Sequence, residues 1–469
     1  MNILFLYNST QTYTSTVFEH VGSFAKYSKY AAFFCHLDQT TNFNVDLSRF
    51  AVVAIHYSVR LPFDQISESF ADALTRYKGL KVLFIQDEYD YTFRAWHWIS
   101  RLGVRLVFTA VPVDSIVKIY PPGKFPGVRF VNNLTGYVPE HLRLSTNSPP
   151  ASKRDTIFGY RGRPLPIRYG ALAIEKVLVG KLVKDFCEVT NIKSDIAWSE
   201  SERIYGDKWY EFLTSCRAIL GSESGSNVFD WDNSLTDKIE AFKRDNPSAT
   251  NDEIYSKIVE PVELPGLMNQ ISPRVFETIA AGAVLVLFEG NYSGLLKPWE
   301  HFIPLKKDGS NLAEVWRLLQ DGAYVDELTR RAVQDIIAPK NYDYRSYVTM
   351  VDSQLSLEID RSAAISVDTE KNLAQYSSKT VGPDCSSANA HKSDQADVFV
   401  STCITTSPTQ YKLPDQTFSF LGRPIDTRSP LLAIRSVIII VLLSVWNRLP
   451  QFVRRTLKPM LQELRGRPQ

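Results

Sequence analysis

The chain predicts an α/β protein of two Rossmann-like domains facing a cleft, and three features predict it. Short apolar runs alternate with amphipathic segments from the first residues, a βαβα order that belongs to parallel sheets covered on both faces. The alternation starts again after a Pro- and Ser-rich stretch, Ser148-Pro-Pro-Ala-Ser-Lys153, which reads as a hinge. The length of 469 residues, 44 % of them hydrophobic, is enough for two cores and something extra at roughly 100–200 residues per domain.

In the first series Ile3–Tyr7 reads as a strand, followed by a polar loop and a helix over Thr16–Tyr27, with Thr16 and Glu19 at capping-box spacing. Tyr30–His36, Ala51–His56 and Lys81–Gln86 are further strands, and a helix over Asp64–Tyr77 precedes the last of them. Leu106–Thr109 and Gly127–Val131 complete the series. The first loop lacks Gly-x-Gly-x-x-Gly, so no standard dinucleotide site is expected there. The second series has strands at Thr156–Tyr160, Asp195–Trp198 and Ala218–Leu220, with helices near Tyr169–Cys187 and Lys208–Cys216. One or two helices over Val315–Ala338 close it, with Pro339 as a stop. The expected domains are residues 1–148 and 149–355. Two such halves place ligands between them, at the carboxyl ends of their strands.

Residues 356–425 are rich in Ser, Thr, Asp, Asn and Gln, without a sustained period, and read as a disordered linker. Residues 426–469 follow as an apolar and basic helical tail. Leu431–Trp446 is apolar apart from Arg435 and two serines, and the residues after it carry Arg448, Arg454, Arg455, Lys458, Arg465 and Arg467 against Glu463. A helix over Leu431–Trp446 reaches about 24 Å, short of the roughly 30 Å apolar core of a bilayer. An interfacial anchor on anionic lipid fits this segment, and a helix pair packed on the protein or on another subunit is the alternative.

The formal net charge of +2, with no long basic stripe before residue 430, leads to the expectation of no nucleic-acid partner. Five widely spaced cysteines, with no pair at metal-ligand spacing, argue against a disulfide framework or a zinc site. The N-terminal apolar run is short and has no cationic residues before it, so a cytoplasmic protein is expected, peripheral on the inner face of the membrane if the tail anchors it.

The most informative stretch is Ser272–Gly290. Arg274, Glu277 and Gly282 lie on an alanine-rich amphipathic segment that runs into the apolar Val284–Phe288, which reads as helix, glycine stop and buried strand. A helix N-terminus offers unpaired N–H groups to an anion, and a carboxylate one turn in can accept from neighbouring hydroxyls. Gly221-Ser-Glu-Ser-Gly-Ser-Asn227 follows the Ala218–Leu220 strand. Its Gly225 permits close backbone approach, and Ser222, Ser224, Ser226 and Asn227 can donate to phosphate or sugar oxygens.

Together with Phe158-Gly-Tyr-Arg-Gly-Arg-Pro-Leu-Pro166, Met268–Glu277 and His301–Asp308, these motifs resemble the second domain of GT-B-fold glycosyltransferases of bacterial polysaccharide and O-antigen gene clusters. The resemblance spans residues 1–350 and is most specific over 156–315. It implies transfer of a sugar from a nucleotide-diphosphate sugar to a glycan or lipid-linked glycan. No cofactor and no metal are required beyond that co-substrate. Carried over, Glu277 matches the glutamate that bonds the donor ribose, and Arg161 and Arg163 follow the strand where the family sets cations against the diphosphate. Lys176 and Arg274 are further cation candidates, and Ser224, Gly225 and Asn227 complete the donor set. Asn269 stands where many retaining members have a second glutamate. It can bond sugar hydroxyls but cannot act as a base.

For the proton of the acceptor hydroxyl, His56 and Asp87 end strands of the first half, and Glu223 is the acid to weigh beside Glu277. His20 is a weaker candidate. Asp230-Trp-Asp232 spells an acidic metal motif of another glycosyltransferase fold, out of place in a second Rossmann-like half. Two other readings share the architecture: a non-catalytic nucleotide-sugar-binding protein, favoured by Asn269, and a sugar-nucleotide epimerase, for which the tail has no use.

Overall fold

A computed structural model describes residues 1–10, 15–138, 148–377, 418–420 and 423–425, with side-chain detail for 1–10, 16–138 and 148–361. The first half holds β1 (Asn2–Tyr7), α1 (Ser15–Tyr27), β2 (Ala31–His36), β3 (Val52–Ile55), α2 (Glu68–Arg76) and β4 (Leu80–Ile85). It continues with α3 (Thr92–Leu102), β5 (Leu106–Thr109), α4 (Val113–Ile119) and β6 (Arg129–Asn132). Its six strands form one parallel sheet in the order β2-β1-β3-β4-β5-β6. β3 to β5 are buried on both faces, as near-continuous apolar runs require. Because α1 begins at Ser15, Thr16 lies inside the helix and does not cap it.

The second half holds β7 (Thr156–Arg161), α5 (Ala171–Thr190), β8 (Ser194–Ala197), α6 (Asp207–Ser215), β9 (Cys216–Gly221) and the short β10 (Ser224–Gly225). Then come α7 (Ser234–Asp245), α8 (Asn251–Ile254), β11 (Asn269–Gln270), α9 (Pro273–Ala280), β12 (Val284–Phe288), β13 (Ile303–Leu305), α10 (Leu312–Gln320) and α11 (Gly322–Ala332). Its five-stranded sheet is also parallel, in the order β13-β12-β9-β7-β8, and β10 pairs antiparallel with β11 beside it. The expected hinge at Ser148–Lys153 is packed against this half: Ala151 is buried, and Ser152 Oγ donates to Asp326 Oδ2 at 2.7 Å.

The last long helix corrects the expected linker. α12 (Tyr344–Ser377) runs well past residue 356 and packs back on the first sheet. Tyr344, Tyr347, Val348, Val351 and Leu355 share a core with Ile3, Phe5 and Phe24. Asp352 accepts from Ser28 Oγ at 2.9 Å and Lys29 N–H at 2.7 Å, and buried Glu358 meets Arg129 at 3.1 Å. Polar residues dominate the composition of this helix, yet Asp352, Ser356 and Glu358 are themselves bonded to the first half beside its apolar stripe. Residues 378–417 of the expected linker and the whole tail 426–469 lie outside the described residues. A two-strand antiparallel pair, β14 (Phe418–Phe420) with β15 (Arg423–Ile425), falls where no strand was expected. Among the described residues no helix is long and apolar enough to cross a membrane.

Loops bind the two sheets to each other. Asp230 N–H donates to Tyr89 O and Phe93 N–H to Trp231 O, each at 2.9 Å. Buried Asp90 accepts from Arg168 Nε at 3.2 Å and from the Tyr169 hydroxyl at 2.7 Å. Gln270 donates to Ala110 O, and Thr135 Oγ1 donates to Ile271 O at 2.6 Å. These contacts fix the seam between the two halves.

Candidate active site

The site grows from α9. Pro273 starts it at a position where a missing N–H costs nothing, and Val275, Phe276, Ile279 and Ala280 bury one side. Gly282 at φ +62° ends it, with Gly282 N–H on Ile279 O at 2.9 Å. Arg274 and Glu277, three residues apart, therefore share the remaining face. Trp209 Nε1 of α6 donates to Glu277 Oε2 at 2.8 Å, and the Arg274 guanidinium lies 5.4 Å from the Trp209 ring and 5.5 Å from that of Tyr160. Burial raises the Glu277 carboxyl above the ordinary glutamate range, opposed by the Trp209 bond and Arg274.

Lys176 joins them from α5. Its Nζ donates to Ser224 Oγ at 3.0 Å and Ser222 O at 3.3 Å. Burial and, after it, the neighbouring Arg274 charge pull its ammonium down to about 7, against the charges of Glu175 and Glu223. Two cations are thus held close enough to disfavour one another, with neutral oxygens as the hydrogen-bond partners of Lys176. That arrangement suits a ligand bringing two or more negative charges.

The first half contributes a carboxyl that sequence reasoning took for a cap. Glu19 of α1, in the first half, is pushed up to about 7 by burial and by the charge of Glu277 in the second. Tyr210 of α6 lies within the field of both, and burial raises its hydroxyl as well. Nothing local marks Glu19, since its partner is 258 positions away in the sequence.

Glu223 acts on Lys176 by charge, but its hydrogen bonds go elsewhere. It is buried, accepts from Tyr292 N–H at 2.7 Å and from Asn269 Nδ2 at 2.5 Å, and so holds backbone and an amide. Gly225 at φ +92° lets Met268 O approach where a Cβ would stand only 1.9 Å from it. Asn227 Oδ1 accepts from Met268 N–H at 3.0 Å, and Ser226 Oγ is spent on Val228 O at 2.7 Å.

Two site candidates, and the acidic motif set aside above, are engaged elsewhere in the fold. His56 is fully buried: Ser58 N–H and Oγ lie 3.1 and 2.9 Å from its Nδ1, and its Nε2 meets His20 Nδ1 at 2.9 Å. Burial lowers both imidazoles, His20 to about 3, so the pair is neutral and closed off from any acceptor. Arg161 is committed to Asp195 at 2.7 Å and lies over the Phe212 ring at 4.6 Å, away from the Lys176 group. Asp230 caps α7, accepting from Leu235 and Thr236 N–H at 3.1 and 3.0 Å, while Asp232 accepts from Ser234 N–H at 3.0 Å. Among the described residues no group of three His, Cys, Asp or Glu could hold a metal ion. Arg163 is exposed beyond β7. Asp87 is half-exposed just past β4, 3.7 Å from Arg60 and bonded by the Tyr89 hydroxyl at 3.0 Å.

No family model and no curated protein matches the chain. Among solved structures, an alpha-glucosyltransferase in complex with UDP and a 13-mer DNA containing an HMU base is 11 % identical, with a TM-score of 0.46 over 76 % of this chain and 99 % of its own. Anabaena HepE in complex with UDP is 10 % identical, TM-score 0.42, over 76 % of this chain and all (100 %) of that one. T4 phage BGT with UDP-glucose is 10 % identical, TM-score 0.36, over 77 % and 98 % of the two chains. These are distant likenesses. The expected exclusion of nucleic acid is nonetheless corrected beside them, because the alpha-glucosyltransferase is held with DNA, also in a structure with UDP-glucose and an abasic site. A net charge is a sum over the whole surface and does not decide what one local face accepts.

Proposed function

We propose that the protein is a GT-B-type glycosyltransferase that moves a hexosyl group from a nucleotide-diphosphate sugar to an acceptor hydroxyl. The observation that carries this reading is the pairing of Lys176 with Arg274 beside Glu277, two cations and a carboxylate on one face of the seam. When the bond from the sugar carbon to the diphosphate oxygen breaks, negative charge grows on the leaving group, and fixed cations stabilise it without a metal. Glu277, held by Trp209, accepts from the ribose hydroxyls. The acceptor oxygen bonds to the sugar carbon, and its proton passes to Asp87, the half-exposed carboxylate of the first half.

A glycan or lipid-linked glycan is the acceptor this reading favours, with attachment to the inner face of the membrane through residues 426–469. The sequence of that tail, apolar then arginine-rich, is what supports the attachment. The test is release of nucleoside diphosphate by the full-length protein from a panel of sugar nucleotides. Glycan, lipid-linked glycan and hydroxymethylated DNA acceptors are each added. Acceptor-stimulated release from one donor is expected. Binding of a donor with no release under any acceptor would make the protein a binder and overturn the transferase reading.

A further inference from the structure

Arg154 follows directly on the Ser148–Lys153 segment and is buried. Its guanidinium makes four hydrogen bonds, and every one goes to a main-chain carbonyl. Nε donates to Pro149 O at 3.0 Å, Nη1 to Leu213 O and Cys216 O at 3.3 and 2.9 Å, and Nη2 to Ala281 O at 2.8 Å. Leu213 lies in the last turn of α6, and Ala281 caps the end of α9. Carbonyls at the end of a helix have no partner within it and carry its partial negative charge. Neither α6 nor α9 has a basic residue of its own in its last turn. One buried cation therefore serves both ends, and its planar fork sets how they meet.

The carbonyls it holds are placed to matter for the site. Leu213 follows Trp209 by four residues, and Ala281 follows Glu277 by four. Each carbonyl is thus one helical turn beyond a side chain of the bond that joins the two helices, Trp209 Nε1 to Glu277 Oε2 at 2.8 Å. Around these ties the packing is apolar, with Phe212, Leu213, Ile219 and Ala283 in one cluster. Apolar burial is non-directional and does not by itself set the register of one helix on another. The bonds to Arg154 are directional and do.

We infer that Arg154 is a positioning residue for the donor site: it fixes the register of α6 against α9 and so holds the Glu277 carboxylate against Trp209, in place for a ribose. The role of Glu277 in this inference rests on the proposed donor reading, while the tie between the helices rests on the contacts of Arg154.

The experiment follows the Trp209 indole N–H of the full-length protein by heteronuclear NMR, with Trp209→Phe identifying its signal among the eight tryptophans. UDP, GDP, ADP and dTDP are titrated against the same proteins. Arg154→Lys keeps the charge but brings its donors from one nitrogen, so it cannot span both helix ends as the fork does. In Arg154→Lys, and in Arg154→Gln where it folds, the Trp209 N–H should exchange with solvent at least about tenfold faster. Diphosphate affinity should fall roughly tenfold. Ser152→Ala, which removes a tie of the neighbouring segment to Asp326, should change neither. In a Trp209→Phe background Arg154→Lys should add no further loss of affinity, because it acts through that bond. Unchanged exchange or unchanged affinity in folded Arg154→Lys, or a loss that adds in full to that of Trp209→Phe, would overturn the positioning role. If the native chain binds no diphosphate, the donor reading falls, and the Trp209 exchange still decides whether Arg154 ties the two helices.

Discussion

Each half of the chain brings a pair of basic side chains together, and the two pairs are built in opposite ways: the first is fully buried, the second partly exposed. In the first half Ser58 N–H fixes Nδ1 of His56 as an acceptor, so His56 Nε2 carries the proton and donates to His20 Nδ1. Both rings are neutral, and burial keeps them so. In the second half Lys176 and Arg274 are brought together although their charges oppose one another. A neutral imidazole can be buried at modest cost, whereas adjacent cations are retained only where an anion arrives. The meeting of two cations is what marks the site.

The sharpest way to break this contrast is to remove both cations. Lys176→Ala with Arg274→Ala should weaken sugar-nucleotide binding by about 1000-fold and each single change by roughly 10- to 100-fold, with nucleoside binding little altered. Competition with the nucleoside and its diphosphate reads this out. Equal losses for both ligands would move the cations out of the phosphate site.

Glu277→Gln comes next. It keeps the shape and the Trp209 bond but removes the charge, and affinity should fall roughly 10- to 100-fold. An unchanged dissociation constant in the folded variant would reject the ribose assignment.

The third test is pH. Lys176 is pulled down to about 7, so the protonated form that attracts phosphate is present below that value and is lost above it. Glu19, pushed up to about 7, gains its negative charge over the same range and acts in the same direction. Affinity for a sugar nucleotide, whose diphosphate has no ionisation near 7, should fall about tenfold from pH 6 to pH 8. Lys176→Ala should flatten most of this slope, and a slope that persists would assign it to Glu19.

The first-half pair should respond in the other currency, stability. His56→Gln breaks a buried chain of hydrogen bonds and should cost about 1–3 kcal/mol in denaturant unfolding, with sugar-nucleotide affinity unchanged. A loss of affinity without loss of stability would restore His56 to the site. The smallest effect on affinity is expected from deleting residues 426–469. Flotation with anionic liposomes should be lost and donor binding kept, since every proposed donor residue lies before residue 310.

Much of this molecule was legible in its sequence where the signal is local. The strands expected at Leu106–Thr109 and Val284–Phe288 match β5 and β12 to the residue, because buried parallel strands are continuous apolar runs. The helix, glycine stop and strand at 273–288 are equally local. α12 was missed, although Tyr347, Val348, Val351 and Leu355 carry a helical stripe, because its polar residues, some of them buried, dominated the composition. The site was legible by residue type and not by partner. Arg161 and Lys176 are both cations of the second half, and only Asp195 beside one and Ser224 beside the other separate a structural ion pair from a phosphate contact. Glu19 and Glu277 lie in different halves of the chain, so their coupling has no sequence signature at all.

The central claim is that Lys176 and Arg274 are kept together for a diphosphate. The most direct measurement is titration calorimetry of the full-length protein and of Lys176→Ala/Arg274→Ala with UDP, GDP, ADP and dTDP. Saturable binding of at least one diphosphate by the native chain, abolished in the folded double variant, is the predicted result. A diphosphate bound equally by both proteins, or by neither, would contradict it.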